Sequence, residues 1–375
     1  MKALKAQKLY DGKSLKSNVY VIFDEKITEI TENKPECEVL GEGAVTPAFI
    51  DGHSHIGLAR AGEPSYEEET NDELSQFLPL NKAIDSVYMD DTSFRESVES
   101  GVLYSHIMAG SGNLIGGKTC AIRNWADSVD KAFFREIGMK AALGYNPRST
   151  KEWKGERPTT RMGTIGLLRR EFTKAKKTEA LVKLDKKSID EVDPVTEEIM
   201  KIVSGKTVLM VHVHKSDDIE VLLSLVSEFG LRVVANHCGD VYSAETWKKL
   251  KDSSIPVIYG PIDSFSYKVE LKHSSWRNVE SLLSVKPDFG LMTDHPVVLQ
   301  RDLFMQLRHF LKFGMSKEEA IGVITQNNAR ILGLEELGTI ERGKLASLVL
   351  WNRDPFEMGS YPELCIGEGK IVHEE

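Results

Sequence analysis

The stretch Thr46-Pro47-Ala48-Phe49-Ile50-Asp51-Gly52-His53-Ser54-His55 decides how the rest of the chain is read, because a short apolar run ends in two imidazoles at i and i+2. In a β-strand that spacing puts both side chains on one face, where they can grip one cation. With ten histidines in 375 residues, such a pair is weak by itself. Three later runs give it weight: Thr207 to His214 (TVLMVHVH), Leu231 to His237 (LRVVANH) and Phe289 to His295 (FGLMTDH). Each is apolar and strand-like and closes on ligand-type residues. Four such strands, carrying His53 and His55, one of His212 and His214, His237, and Asp294, describe a metal site at one mouth of a parallel barrel.

Working outward, strand runs alternate with helical patterns, the signal of βα units. Ser216 to Phe229 predicts a helix stopped at Gly230. Ser316 to Leu332 predicts another, with Ser316 and Glu319 as a capping box and Gly333 as the stop. Between 146 and 200 the alternation breaks. A Pro-, Arg- and Lys-rich stretch precedes a basic helix near Thr164 to Lys177, and a long insertion of this kind sits where barrels build lids and substrate loops. Both chain ends read differently. Ala3 to Leu9, Ser17 to Asp24 and Lys26 to Thr31 are short strands with turn signals, Gly41-Glu42-Gly43 reads as a further turn, and strands return from Gly338 onward. The expected fold is α/β: a (β/α)8 TIM barrel over 47–337, with a small discontinuous β-sandwich built from 1–46 and 338–375.

Composition excludes several classes. The charge sum of −9 comes without a continuous Lys/Arg stripe, which argues against nucleic acid as a partner. The acidic stretch Glu63 to Glu73 reads as a solvated loop. Cys37, Cys120, Cys238 and Cys365 lie far apart without a Cys-x-x-Cys pair, so neither a disulfide framework nor a zinc ribbon is indicated and a reducing cytoplasm fits. The N-terminus has no apolar signal core, and no run approaches the ~20 residues that span a bilayer, so no membrane partner is expected.

Neutral His and anionic Asp are the donors a zinc-like cation takes, and they suit iron or manganese as well. Such a cation lowers the pKa of a water and polarises the bond to be cut. Asp294 is then the base that takes the proton and passes it to the leaving group, with His237 beside it. Arg161, Asn146 and His295 are candidate substrate contacts, and Arg148 and Arg123 are further candidates to hold a carboxylate. Trp153, Tyr267 and Trp276 are candidate pocket walls. Gly110 to Gly117 is either an anion cradle or a sharp turn at the barrel rim, since it lacks the ending of a P-loop.

Several of these motifs together resemble the amidohydrolase superfamily, in its imidazolonepropionase-like and prolidase-like branch. They are Pro47 to His55, Gly110 to Gly117, Arg161-Met162-Gly163, His212-Val213-His214-Lys215-Ser216-Asp217-Asp218, the His237 strand end, Thr293-Asp294-His295-Pro296, and the closing strands from Gly338 to Leu350. The resemblance runs over essentially the whole chain. It implies a metal-dependent hydrolase of C–N bonds acting on a small molecule such as a cyclic amide, an N-acyl amino acid or a dipeptide. It favours His212 as the ligand, with His214 against metal or substrate, and it suggests a homodimer. Dinuclear relatives carry a bridging carboxylate, a carbamylated Lys or a Glu, at the end of the fourth strand. Here Tyr145 stands near that place, and Lys140 lies nearer the strand's beginning, which reads as the wrong mouth. One ion, zinc before iron or manganese, is therefore expected, with Lys140 and Lys118 as the alternatives for a bridge. A deaminase is a second reading, although the Glu-bearing motif that usually follows the fifth strand is replaced by Lys215 to Asp218. A non-enzymatic assembly protein is a third, opposed by the retained ligand groups.

Overall fold

The computed structural model describes residues 1–149 and 157–375. Four strands open the chain: β1 (Lys2–Tyr10), β2 (Leu15–Phe23), β3 (Ile27–Thr31) and β4 (Glu38–Pro47). Eight follow: β5 (Phe49–Ser54), β6 (Val102–Ile107), β7 (Ile115–Arg123), β8 (Phe133–Ala142), β9 (Leu209–Val213), β10 (Val233–His237), β11 (Val257–Tyr259) and β12 (Phe289–Leu291). Three close it: β13 (Leu348–Trp351), β14 (Pro362–Gly367) and β15 (Lys370–Glu374).

The outer strands form one seven-stranded sheet in the order β15-β14-β13-β4-β1-β2-β3. Its own apolar cluster includes Leu4, Val21, Phe23, Val45, Leu348 and Ile366. The expected turn at Gly41 to Gly43 is instead continuous strand within β4. A Cβ on Gly43 would lie 2.3 Å from the Trp351 carbonyl oxygen, so this glycine permits close approach of β13 rather than a bend.

The middle strands form an eight-stranded sheet in the order β12-β11-β10-β9-β8-β7-β6-β5. Every residue of β5, β6, β9 and β10 is buried, as expected of strands covered on both faces. One strand departs from strict alternation, since β7 runs antiparallel to both β6 and β8. The glycine-rich stretch from Gly110 is therefore the rim turn of a β6–β7 hairpin. The Gly112 N–H is already taken by Asn71 Oδ1 at 2.7 Å.

Between β5 and β12 the barrel is closed by a few bonds rather than a ladder. The Asp294 N–H donates to the His53 carbonyl and the His55 N–H to the His295 carbonyl, each at 3.0 Å. Lower in the seam, Asn328 Nδ2 donates to the carbonyls of Ile50 (2.7 Å) and Leu291 (2.8 Å), and its Oδ1 accepts from the Leu291 N–H (3.1 Å). A Cβ on Gly290 would fall 1.8 Å from Asn328 Oδ1, so the seam needs glycine there. Asn328 follows a π-helical turn, Val323–Asn327, inside what the sequence presents as one continuous helix capped by Ser316 and Glu319. That extra residue per turn sits where the helix supplies the staple between first and last barrel strands. The helix Ser216–Phe229 ends at Gly230 in the left-handed conformation (φ 69°), as its sequence predicts.

Candidate metal centre and active site

Period-two alternation at the end of β5 turns His53 and His55 toward the barrel mouth, with ring centroids 5.1 Å apart. His237, the last residue of β10, lies 4.8 Å from His53, 4.3 Å from His212 and 4.7 Å from His214. His212 and His214 are themselves 4.7 Å apart. Asp294, just beyond β12, brings Oδ1 to 3.1 Å from His55 Nε2 and 3.4 Å from His53 Nε2, and Oδ2 to 3.9 Å from His237 Nδ1. Two ligand triads result, His53/His55/Asp294 and His212/His214/His237. His237 (φ 76°) and Asp294 (φ 53°) both occupy the left-handed region, sparsely populated by residues with a side chain.

The hydrogen-bonding pattern fits a cation. His55 Nδ1 lies 2.8 Å from the Met108 carbonyl, which only accepts, so the ring proton is on Nδ1 and the Nε2 lone pair faces the Asp294 carboxylate at 3.1 Å. Two acceptors at that distance repel unless a positive charge lies against both. His53 shows the same arrangement. Its Nδ1 meets the Asn236 amide at 2.9 Å, Asn236 Oδ1 is without a partner, and a half-turn of the amide lets Oδ1 accept the Nδ1 proton and turns the Nε2 lone pair toward Asp294 Oδ1 and Lys140 Nζ. Both ring nitrogens of His237 and Nδ1 of His214 are also buried without a partner. Each such atom costs about 1–3 kcal/mol. Burial pushes His53, His212 and His237 well below the usual imidazole value, and burial with the Lys268 charge holds His214 at about 3. Neutral imidazole is the form that binds metal.

Lys140 requires a correction. It pairs with Met210 on β9, two residues below the Ala142–His212 pair, yet its side chain climbs to the mouth and sets Nζ 3.2 Å from His53 Nε2. It is fully buried, and burial lowers its amine to about 7. The other bridging candidate, Lys118, points away and pairs with Glu198 at 3.2 Å. The Tyr145 side chain is partly exposed; the residue contributes its N–H, which donates to Glu270 Oε2 at 2.8 Å.

Other expected contacts divide. Asn146 is at the mouth, donating to Ser111 Oγ (2.6 Å) and accepting from Lys268 (3.2 Å). His295 is buried beside the centre, and its Nδ1 accepts from the Gln300 N–H at 3.2 Å. Arg161 stands at the rim, 3.4 Å from Asp218 and 3.7 Å from Asp217, and Arg148 donates to the Gly144 carbonyl at 2.7 Å. Arg123 is not at the site; it binds Glu368 at 2.7 Å, against the seven-stranded sheet. Trp276 stacks on His309 and Phe313, whereas Tyr267 is exposed. Trp153 lies outside the described residues. Within the acidic stretch, Glu68 and Glu73 line a cavity of about 540 Å³ that reaches Ser111 and Asn146.

Four residues at the centre escaped the sequence reading. Glu270, almost fully buried, places Oε1 3.3 Å from His212 Nε2 and 2.7 Å from Lys268 Nζ. Both come from the loop after β11, which has no periodicity to announce them. Asp51 and Asn236 did leave a signal, a polar side chain inside an otherwise apolar buried strand.

The amidohydrolase family profile matches residues 185–371. The crystal structure of an amidohydrolase from Thermotoga maritima is 30% identical over all of both chains, with a TM-score of 0.91. The chain belongs to the amidohydrolase superfamily. Amidohydrolase tasK of Hapsidospora irregularis is 23% identical over 90% of this chain, which spans only 38% of that protein's length. D-hydantoinase from Thermus sp., at 12% identity over all of this chain and 95% of its own, shares the fold with a TM-score of 0.59. Members of that superfamily are hydrolases of carbon–nitrogen bonds and generally depend on divalent metal. Among the described residues, no helix is long and apolar enough to cross a membrane.

Proposed function

We propose that this amidohydrolase cleaves an amide or cyclic amide C–N bond of a small substrate, using divalent metal held at the barrel mouth. The observation that carries the reading is the His55 Nε2 lone pair set against Asp294 Oδ1 at 3.1 Å while Nδ1 is committed to the Met108 carbonyl. His53, His55 and Asp294 would hold one ion, and His212 and His237, with His214 adjacent, a second. Lys140 supports two ions over one. A buried amine lowered to about 7 is about half uncharged at neutral pH, and R–NH2 plus CO2 gives R–NH–COO⁻ plus a proton, which would set a carboxylate beside His53. Divalent metal there would supply Lewis acidity toward a water and toward the carbonyl oxygen of the bond to be cut. Asp294 accepts the water's proton and returns it to the departing nitrogen. Lys268, half-buried and braced by Glu270 and Asn146, offers the mouth a fixed cation suited to a substrate carboxylate, so N-acyl amino acids and dipeptides join cyclic amides as the substrates to try.

The test is metal analysis of the purified protein alongside hydrolysis of that panel. About two transition-metal ions per chain, with C–N cleavage abolished by chelator and restored by metal, is the expected result. Protein that neither holds nor takes up metal would sink the reading.

A further inference from the structure

Asp51 lies two residues before His53 and is fully buried, yet its carboxylate is turned away from the imidazoles. Oδ1 accepts the N–H of Thr293 (3.0 Å) and of His53 (3.3 Å). Oδ2 accepts Gln300 Nε2 at 2.9 Å and the Thr293 hydroxyl in a short bond. Thr293 immediately precedes Asp294, and its Oγ1 accepts the N–H of His295 at 3.1 Å, the residue immediately after. Gln300 closes the ring, its N–H donating to His295 Nδ1 at 3.2 Å. The residues on both sides of Asp294 are thus tied, directly or through one bridging group, to a single carboxylate on the opposite strand of the seam.

Between those anchors Asp294 holds φ 53°, a conformation an aspartate keeps only when its surroundings impose it. Two other bonds hold its backbone, one from its N–H to the His53 carbonyl (3.0 Å) and one from the Val297 N–H to its own carbonyl (2.9 Å). Glycine is not used here, because the side chain is needed. Freed of its anchors, the peptide relaxes toward extended backbone and carries the carboxylate away from His53 and His55.

We propose that Asp51 is the positioning residue for Asp294, acting through Thr293 and Gln300 to impose the backbone turn that aims the Asp294 carboxylate at His53 and His55. Its effect on metal binding rests on the function proposed above; its geometry does not. The network extends behind the site, since Gln300 Nε2 also reaches Ser105 Oγ (2.8 Å) and Ser54 Oγ (3.2 Å) and Gln300 Oε1 accepts from Asn124 (3.2 Å), which fixes the glutamine amide.

The experiment uses Asp51→Asn, which puts an amide N–H2 among donors, Thr293→Val, which removes only the hydroxyl at constant shape, and Thr293→Ser, which restores it. Metal-free wild type and variants are titrated with cobalt(II) chloride, reading affinity and the visible ligand-field bands, with thermal melts to establish folding. Thr293→Val should remain folded, bind cobalt(II) about 10- to 100-fold more weakly and show altered bands, while Thr293→Ser matches wild type. A purely structural threonine would shift the melt and leave the bands unmoved. Wild-type affinity and bands in folded Asp51→Asn and Thr293→Val overturn the proposal; if Asp51→Asn does not fold, Thr293→Val decides alone. Should wild type bind no cobalt(II), the metal reading falls, and crystal structures of metal-free wild type and Thr293→Val decide the positioning. Asp294 unchanged in the variant, with Oδ1 still 3.1 Å from His55 Nε2, overturns it, and an Asp294 turned away upholds it.

Discussion

Two buried aspartates show how differently this protein treats charge at its mouth and at its joint. Asp51, beneath the histidines, is driven up to about 6 because burial outweighs donors that are all neutral: Thr293, Gln300 and the backbone. Asp354, just after β13, is held down at about 2. Burial would raise it too, but bonds from Lys8, the Phe356 N–H, Lys317 and Tyr10 together outweigh burial. Lys8 and Tyr10 come from β1 and Lys317 from the helix Lys317–Gly322, so Asp354 ties the seven-stranded sheet to the barrel through charge-assisted bonds. The joint is compensated by charge; the mouth is left with a carboxylate held by neutral donors alone, a lysine amine lowered to about 7 and imidazole nitrogens without a hydrogen-bond partner. Unmet demand of that kind persists where a ligand is meant to meet it.

The contrast breaks most visibly at Asp294. Asp294→Asn keeps the shape and the backbone bond to His53 but loses basicity and charge. Turnover should fall by about 10²–10⁴-fold while the melt moves little. Wild-type turnover in a folded, metal-loaded variant would remove Asp294 from the chemistry. Metal removal comes next. If the mouth's unmet groups await cations, saturating metal at about 1,000 times its dissociation constant adds about 4 kcal/mol to stability. Hydrogen exchange after chelation should then quicken around residues 236–239, where the His237 imidazole has no hydrogen-bond partner, more than at Asn328, whose three side-chain bonds need no metal. Uniform loosening would mean that the two sides of the barrel are not distinct.

How far these regions could be read in the sequence follows the same line. The strands that meet at the mouth were legible because a period of two, apolar filling and a terminal His or Asp each report one physical requirement. Lys140 was misjudged because strand position fixes a Cα, whereas a four-carbon stem carries the amine about two residues' rise, some 7 Å, further up. Gly43 looked like a turn because its reason, the Trp351 carbonyl 2.3 Å from a would-be Cβ, belongs to a strand some 300 residues away. Lys268 and Glu270 had no local signal at all, since their only constraint is the site they enter.

Lys140 offers a smaller, sharper test of the mouth. Lys140→Met fills similar volume without an amine. It should lower metal content from about two ions to about one and reduce turnover by about 10- to 100-fold, as expected on loss of a group that organises a metal site. Unchanged metal content would separate the amine from metal binding and return the centre to a single ion.

Asp354 gives the smallest effect and a definite pH signature. Its folded value near 2 lies below the ordinary carboxylate value near 4, so the native state favours the ionised form and gains stability wherever the unfolded chain would also be ionised. The contribution is complete above about pH 4 and disappears as pH falls through about 2. Lys8 and Lys317 are both close to half exposed, so solvent screens the pairs and the gain is modest. Asp354→Asn should therefore lower the melting temperature by about 2 °C at pH 7, in low salt more than in high. The gap to wild type should close steadily between about pH 4 and pH 2. A gap that persists undiminished at pH 2 would show that Asp354 joins sheet to barrel by shape rather than by charge, and the distinction between a compensated joint and an uncompensated mouth would have to rest on the imidazoles alone.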